Sequence, residues 1–293
     1  MRKPSTWLLE HRRNVHSQTG EDGIIDRILS VLPARNEWCV EFGACDGAFL
    51  SNTCRLIEER GYSAVLIEAS VKKFRELTRR FGCTPRVFPV NAFVGFQRRD
   101  GLDALLSRQP IPRDFDFLSI DIDGNDYHTW HTTVEYRPKV VCIEFNPTIA
   151  TDVTFVQAPD PGISQGSSLL ALTELGKQKG YELVCVLPWN AIFVDECYFP
   201  LFEIDDNSPA RMRTDTSLVT HMFVGYDGSI HLVGAKQLAW HGVELDEGDF
   251  QPLPKRLRKY RGNYSQVEKA LYAGFLLLTS PRAFAKMARQ RLR

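Results

Sequence analysis

Short apolar runs alternate with amphipathic stretches over the first 200 residues of the chain. The apolar runs predict strands over 38–42, 64–68, 86–91, 117–121, 140–145, 182–187 and 191–194. Between them, Ile24, Ile25, Ile28 and Leu29 recur at the spacing of one helix face, which predicts a helix over 21–32. Helices predicted over 52–60, 71–81 and 167–179 each run into a glycine (Gly61, Gly82 and Gly180), a normal helix stop. Strands alternating with helices make βαβ units, and these build a parallel sheet with helices on both faces. The expected class is therefore α/β, a doubly wound, mostly parallel seven-stranded sheet. Only Pro188-Trp189-Asn190 joins the last two strands, so they should form an antiparallel hairpin at the edge.

After Asp195 the pattern changes. Residues 200–216 are polar and irregular, and two apolar runs, 218–225 and 229–233, flank Tyr226-Asp227-Gly228. Asp-Gly between such runs signals a hairpin. Gln251-Pro252-Leu253-Pro254 reads as a linker, and a helix is predicted over 264–280, halted by Pro281. The organisation expected is a main domain over 1–199, a β-hairpin appendage over 200–250 and a basic helical tail over 251–293.

The composition is 43% hydrophobic and 25% charged, which argues against wholesale disorder, collagen and a coiled coil. Lys+Arg and Asp+Glu balance at 36 each, but the total hides an asymmetry. From Lys255 to Arg293 there are 11 Lys/Arg and one acid, Glu268, a net +10, so the first 254 residues carry −10. Nucleic-acid binding by the body is not expected. The tail suits either peripheral contact with an anionic membrane or self-docking on an acidic body, and an oligomer is compatible with both. Seven cysteines without a CxxC pair point away from a disulfide framework and towards a reducing, cytoplasmic setting. The opening MRKPSTWLLEHRR shows no apolar core of a secretory signal.

The string WCVEFGACDGAFLSNT reads as strand, glycine-containing loop, helix. Gly43 and Gly47 allow a sharp turn and a close approach to a ligand. Glu41 arrives at the carboxyl end of its strand, where open α/β sheets bind ligands. Glu68, at the next strand end, is placed to accept hydrogen bonds from a ribose. The dinucleotide fingerprint G-x-G-x-x-G lacks its middle glycine here, and Glu41 with Asp46 would repel a pyrophosphate. Two carboxylates suit a ligand with an ammonium and a sulfonium, namely S-adenosylmethionine.

With these residues the chain resembles class I S-adenosylmethionine-dependent methyltransferases. The fuller set SQTGEDG, VEFGACDG, LSNT, LIEAS, LSIDIDGND and VVCIEFNP looks like the FkbM-type branch, over roughly residues 17–194. The resemblance implies a Rossmann-like sheet with a reversed last strand and methyl transfer to a hydroxyl oxygen. It implies that Glu41, Gly43, Asp46 and Gly47 meet the methionine end of the cofactor, that Glu68 holds the ribose, and that Asn91 and Ala92 lie near the adenine. Asp121 should face the reacting centre. Gln18, Glu21 and Asp22 either close over the cofactor or cap a helix. The sequence departs from the branch at Cys45, where a small residue is usual, and at IDIDG, where IDVEG is commoner.

A second motif, DFDFLSIDIDGNDYH, packs Asp121, Asp123, Asn125 and Asp126 together. An EF-hand reading fails, because Asp126 stands where glycine is required and Thr132 where glutamate is required. The next strand ends in Glu144 and Asn146, which alternation puts on one side. Three readings stay open. Asp121, Asp123, Glu144 and Asn146 could bind Mg²⁺ or another divalent cation that activates an acceptor hydroxyl. Asp121, Asp123, Glu144 or His128 could act as a metal-free general base. The segment could also be only an acid-rich turn. The aperiodic stretch 147–166 is expected to be a lid or a surface loop.

The leading expectation is O-methylation of a small-molecule hydroxyl, on a sugar or natural-product intermediate. Rivals are a metal-dependent nucleotide-sugar glycosyltransferase, for which Asp121-x-Asp123 mimics a DxD, and a non-catalytic module tethered through the tail.

Overall fold

The structure, a computed structural model, describes residues 2–291. It divides into two units, Met1–Thr216 and Ser217–Arg293.

In the first unit β1 (Trp38–Phe42), β2 (Ser63–Glu68), β3 (Val87–Asn91), β4 (Phe117–Ile120), β5 (Val140–Glu144), β6 (Tyr181–Val186) and β7 (Asn190–Asp195) form one sheet in the order β3-β2-β1-β4-β5-β7-β6. The first five pair in parallel, and β7 runs antiparallel to both β5 and β6. The β6–β7 hairpin thus ends the sheet, with the reversed strand next to β5 and β6 outermost. This is the doubly wound arrangement expected from the sequence. Strand order reverses between β1 and β4, so the crevice that binds ligands in such sheets opens beside Phe42 and Ile120, which are Cα partners.

The strands were readable because nearly every residue of β1, β2, β4 and β5 is buried, which selects continuous apolar runs. Helices α1 (Glu21–Val31), α2 (Cys54–Arg60), α3 (Val71–Phe81), α4 (Leu102–Leu106), α5 (Asp126–Thr132) and α6 (Leu169–Gln178) fill the connections, with a short α7 (Pro209–Met212). At the amino ends of β4 and β5, Lys139 Nζ donates to Asp116 at 2.6 Å, and both side chains are almost fully buried. Asp116 also accepts from the Asn36 and Glu37 amides, so the buried charge is fully bonded.

The second unit holds an antiparallel hairpin, β8 (Thr220–Val224) with β9 (Ile230–Gly234), and a two-residue ladder of β10 (Gln237–Leu238) with β11 (Val243–Glu244). The Asp227-Gly228 turn sits at the hairpin tip, as predicted, with Gly228 at φ 82°. Two helices follow, α8 (Gln266–Thr279) and α9 (Pro281–Arg291). Pro281 ends one helix and opens the next, where its missing N–H costs nothing. No helix among the described residues is long and apolar enough to cross a membrane.

Candidate functional site

A cavity of about 490 Å³ opens at the carboxyl ends of β1, β2 and β4. Its wall includes Glu41, Gly43, Glu68, Ala92, Asp121, Asp123 and Asn125 from the motifs read in the sequence, together with Cys45, Ser51, Lys73 and Phe93. Four carboxylates against one lysine make an electronegative pocket, suited to a cationic ligand.

The loop after β1 depends on its glycines. Gly43 has φ 78°, and a Cβ there would lie 1.8 Å from the Asp121 carbonyl oxygen. Gly47 has φ 82° and packs so closely on α3 that a Cβ would meet Leu77 at 2.7 Å and Phe81 at 2.8 Å. Three non-glycine residues on the same wall, Cys45, Leu50 and Asp123, also hold positive φ. Such strain is kept where surrounding bonds enforce it.

Those bonds come from the acids. Glu68 accepts from the Cys45 amide at 2.8 Å and from the Ser70 amide at 2.6 Å, tying the β1 loop to the end of β2. Glu41 accepts from Ser51 Oγ at 2.6 Å, Thr53 Oγ1 at 2.7 Å and the Asn52 amide at 2.8 Å. Burial raises its pKa, against the lowering pull of those three donors. Both carboxylates thus shape the pocket, and each keeps lone pairs for a ligand. Asp46 lies outside the cavity wall. It accepts from the Phe49 and Ala48 amides, which hold its pKa below the usual range, and so closes the turn.

Asn91 is exposed and also lies off the wall. It donates to the Glu68 carbonyl at 2.7 Å and joins the ends of β2 and β3. Ala92 and the exposed Phe93 follow it into the cavity.

Asp121, Asp123 and Glu144 come together, with one ligand atom from each lying within 4.8 Å of the others. Desolvation raises Asp121 first, and the charges of Asp126, Asp123 and Glu41 push it further. Glu144 is raised more strongly, again by desolvation first and then by Asp121, Asp126 and Asp123. Burial and mutual crowding raise both carboxyls, which titrate as a pair.

Behind them, Asp126 accepts from the Ile122 and Gly124 amides at 2.9 Å each and fixes the turn that presents Asp123. Asn125 donates to the Asp160 carbonyl at 3.1 Å, while its buried Oδ1 has no hydrogen-bond partner among the described residues.

Asn146 and His128 serve the 147–166 segment. Asn146 donates to the Gln165 carbonyl at 2.7 Å and accepts from the Thr148 amide and hydroxyl. His128 Nε2 meets the Gln157 carbonyl at 2.7 Å, away from the cavity wall. Gln157 is buried, donates to the Ile163 carbonyl and accepts from the Gln165 and Gly166 amides. The segment is a braced loop, and its Pro161 and Ser164 complete the cavity wall. Glu21 and Asp22 also sit off that wall. Asp22 accepts from the Val15, His16 and Ser17 amides, and Glu21 accepts from Thr19 and Asn190.

Sequence reasoning missed Lys73, Phe93 and Gln157. Lys73 had a readable signal, since it sits in the first turn of the helix directly after the Glu68 strand end. Gln157 had none, because its partners are set by tertiary folding.

No family model matches the chain, so the FkbM-type branch is not shown. No curated protein matches it either. Solved structures do. The N-terminal domain of EvdMO1 with SAH bound aligns over 60% of this chain and 80% of its own, at 10% identity and a TM-score of 0.40. The CMeT domain of the citrinin polyketide synthase aligns over 60% of this chain and 51% of its own, at 11% identity and a TM-score of 0.41. A SAM-dependent methyltransferase from Aquifex aeolicus aligns over 58% of this chain and 87% of its own, at 10% identity and a TM-score of 0.37. Likenesses at this level carry no argument of their own, and the fold assignment rests on strand order and register.

Proposed function

We propose that the chain is an S-adenosylmethionine-dependent methyltransferase that methylates a hydroxyl of a small molecule. The observation that carries this reading is the acid-lined cavity at the switch in strand order, with Glu41, Glu68, Asp121 and Asp123 on its wall and Glu144 close to Asp121 and Asp123. The residues fit the cofactor. Gly43 lets the β1 loop pack against the Asp121 carbonyl and so holds the wall's backbone in place, and Glu41 and Asp121 favour an ammonium and a sulfonium. Glu68 has lone pairs left for ribose hydroxyls, and Ala92 and Phe93 offer apolar surface for a base.

When bound, the cofactor supplies an electrophilic methyl group. The chain's part is to orient the acceptor hydroxyl and take its proton. Asp121, on the cavity wall, is the group for that task, because desolvation and crowding raise its basicity, with Asp123 and Glu144 beside it. Positioning supplies much of the rate in a displacement of this kind.

A second reading of the same floor is a divalent cation held by Asp121, Asp123 and Glu144. It is favoured by their mutual approach within 4.8 Å. Asn146 would join that set only by giving up its bonds to the 147–166 loop.

The test is transfer of a labelled methyl group to a panel of sugars and phenols, with EDTA or with Mg²⁺. Labelled ether product is the expected result. Transfer that survives EDTA selects the carboxylate base, and transfer that needs Mg²⁺ selects the metal. Absence of product from every hydroxyl acceptor, with product from amines or carbon acids, contradicts O-methylation. Turnover of UDP-sugars would favour the glycosyltransferase alternative.

A further inference from the structure

The C-terminal unit carries an apolar surface that the proposed activity does not use. Helix α8 buries none of its residues. Val267, Leu271, Leu277 and Leu278 are 61%, 43%, 52% and 85% exposed, and with Ala270 and Gly274 they recur at the spacing of one helix face. At 100° per residue, Glu268 and Lys269 fall off that face. The helix is well started, since Ser265 and Glu268 form a capping box.

Helix α9 packs on α8. Its Phe284 and Met287 are half-buried, while Arg282, Lys286 and Arg289 are exposed at a spacing that puts them on one side. The run before α8 adds the exposed Lys255 and Arg256. From Lys255 onward the only acid is Glu268, and Lys259 pairs with it. In the same unit Tyr226, at the β8–β9 tip, is 97% exposed and Trp240, between β10 and β11, is 60% exposed.

We propose that this unit docks on an anionic lipid surface, with the Val267–Leu278 face in the interface and the α9 cations on the headgroups. Apolar helix faces flanked by Lys and Arg bind in this way, and Tyr and Trp favour the water–lipid boundary. A fourteen-residue helix is too short to span a bilayer, which makes the contact peripheral. The excess of cations selects an anionic leaflet over a neutral one. The proposal stands apart from the reading of the active site.

The test is co-sedimentation of the full chain with phosphatidylcholine vesicles, with and without about one-quarter phosphatidylserine. Binding to the serine-containing vesicles should be at least about tenfold tighter and should weaken with salt. Leu271→Glu with Leu278→Glu should lower it about tenfold or more, with unchanged circular dichroism because both residues are exposed. Arg282→Gln with Lys286→Gln should remove the preference for phosphatidylserine. Equal binding to both vesicles, or none, overturns the proposal. So does a doubling of mass in light scattering that the two Leu→Glu changes abolish, which assigns the face to a second copy. Tighter binding to an RNA oligonucleotide than to the anionic vesicles also overturns it.

Discussion

Asp121 and Glu144 stand one step beyond the Ile120–Ile143 pair, at the ends of neighbouring parallel strands, and with Asp123 they bring one carboxylate oxygen each within 4.8 Å of the others. Burial and the neighbouring charges raise both carboxyls above their range in water. Register puts them there, and desolvation raises both.

The pair should leave a mark on stability. Both folded-state pKa values are raised above the unfolded ones. Stability is therefore unaffected below the unfolded carboxyl range of about 4 and falls as pH rises towards the folded values. Glu144→Gln should flatten that decline and be more stable than wild type by about 1 kcal/mol at pH 8, measured by urea unfolding. Equal slopes in the two proteins would mean that Glu144 is not raised in the folded chain. If Mg²⁺ binds the three acids, it should stabilise wild type more at pH 8 than at pH 5.

Gly43→Ala should abolish cofactor binding and cost about 2–4 kcal/mol, because its Cβ would collide with the Asp121 carbonyl in a positive-φ backbone. Thermal melting and ligand titration check both parts. A variant with unchanged melting and affinity would mean that the loop yields freely.

Asp126 positions Asp123 without lining the cavity. Asp126→Ala should lower kcat about tenfold or more, with KM for the cofactor little changed, and cost about 2 kcal/mol by orphaning one buried and one half-buried amide. Asp126→Asn, which keeps one acceptor oxygen, should recover part of both. Loss of stability with no change in kcat would confine it to a purely structural role.

Lys139→Met should cost about 3–5 kcal/mol, since it leaves Asp116 charged and buried. Adding Asp116→Asn should recover much of that loss. The amino ends of β4 and β5 lie away from the site, so kcat should change little at temperatures where the variant stays folded.

The sheet was legible because β1, β2, β4 and β5 are almost wholly buried and largely apolar, and because Gly61 and Gly180 stop helices where expected. The cavity acids were legible because strand ends are where polar residues interrupt those runs. Less was readable where tertiary contacts decide. Helix α5 has no apolar period, and its Asp126 reads as one more acid of a cluster until the Ile122 and Gly124 amides are seen on it. Asp46 and Asn91 have the right neighbours in sequence, but their side chains are taken up by backbone groups. The clip of Gln157 on 163–166 joins residues that no local pattern relates.

The central claim is tested most directly by calorimetric titration of S-adenosylmethionine into the full chain, wild type and Glu68→Gln. The account predicts saturable binding, weakened about tenfold or more when Glu68 loses a charged acceptor. UDP-sugars should bind more weakly than S-adenosylmethionine. Absence of S-adenosylmethionine binding to wild type, or affinity indifferent to Glu68→Gln, would contradict it.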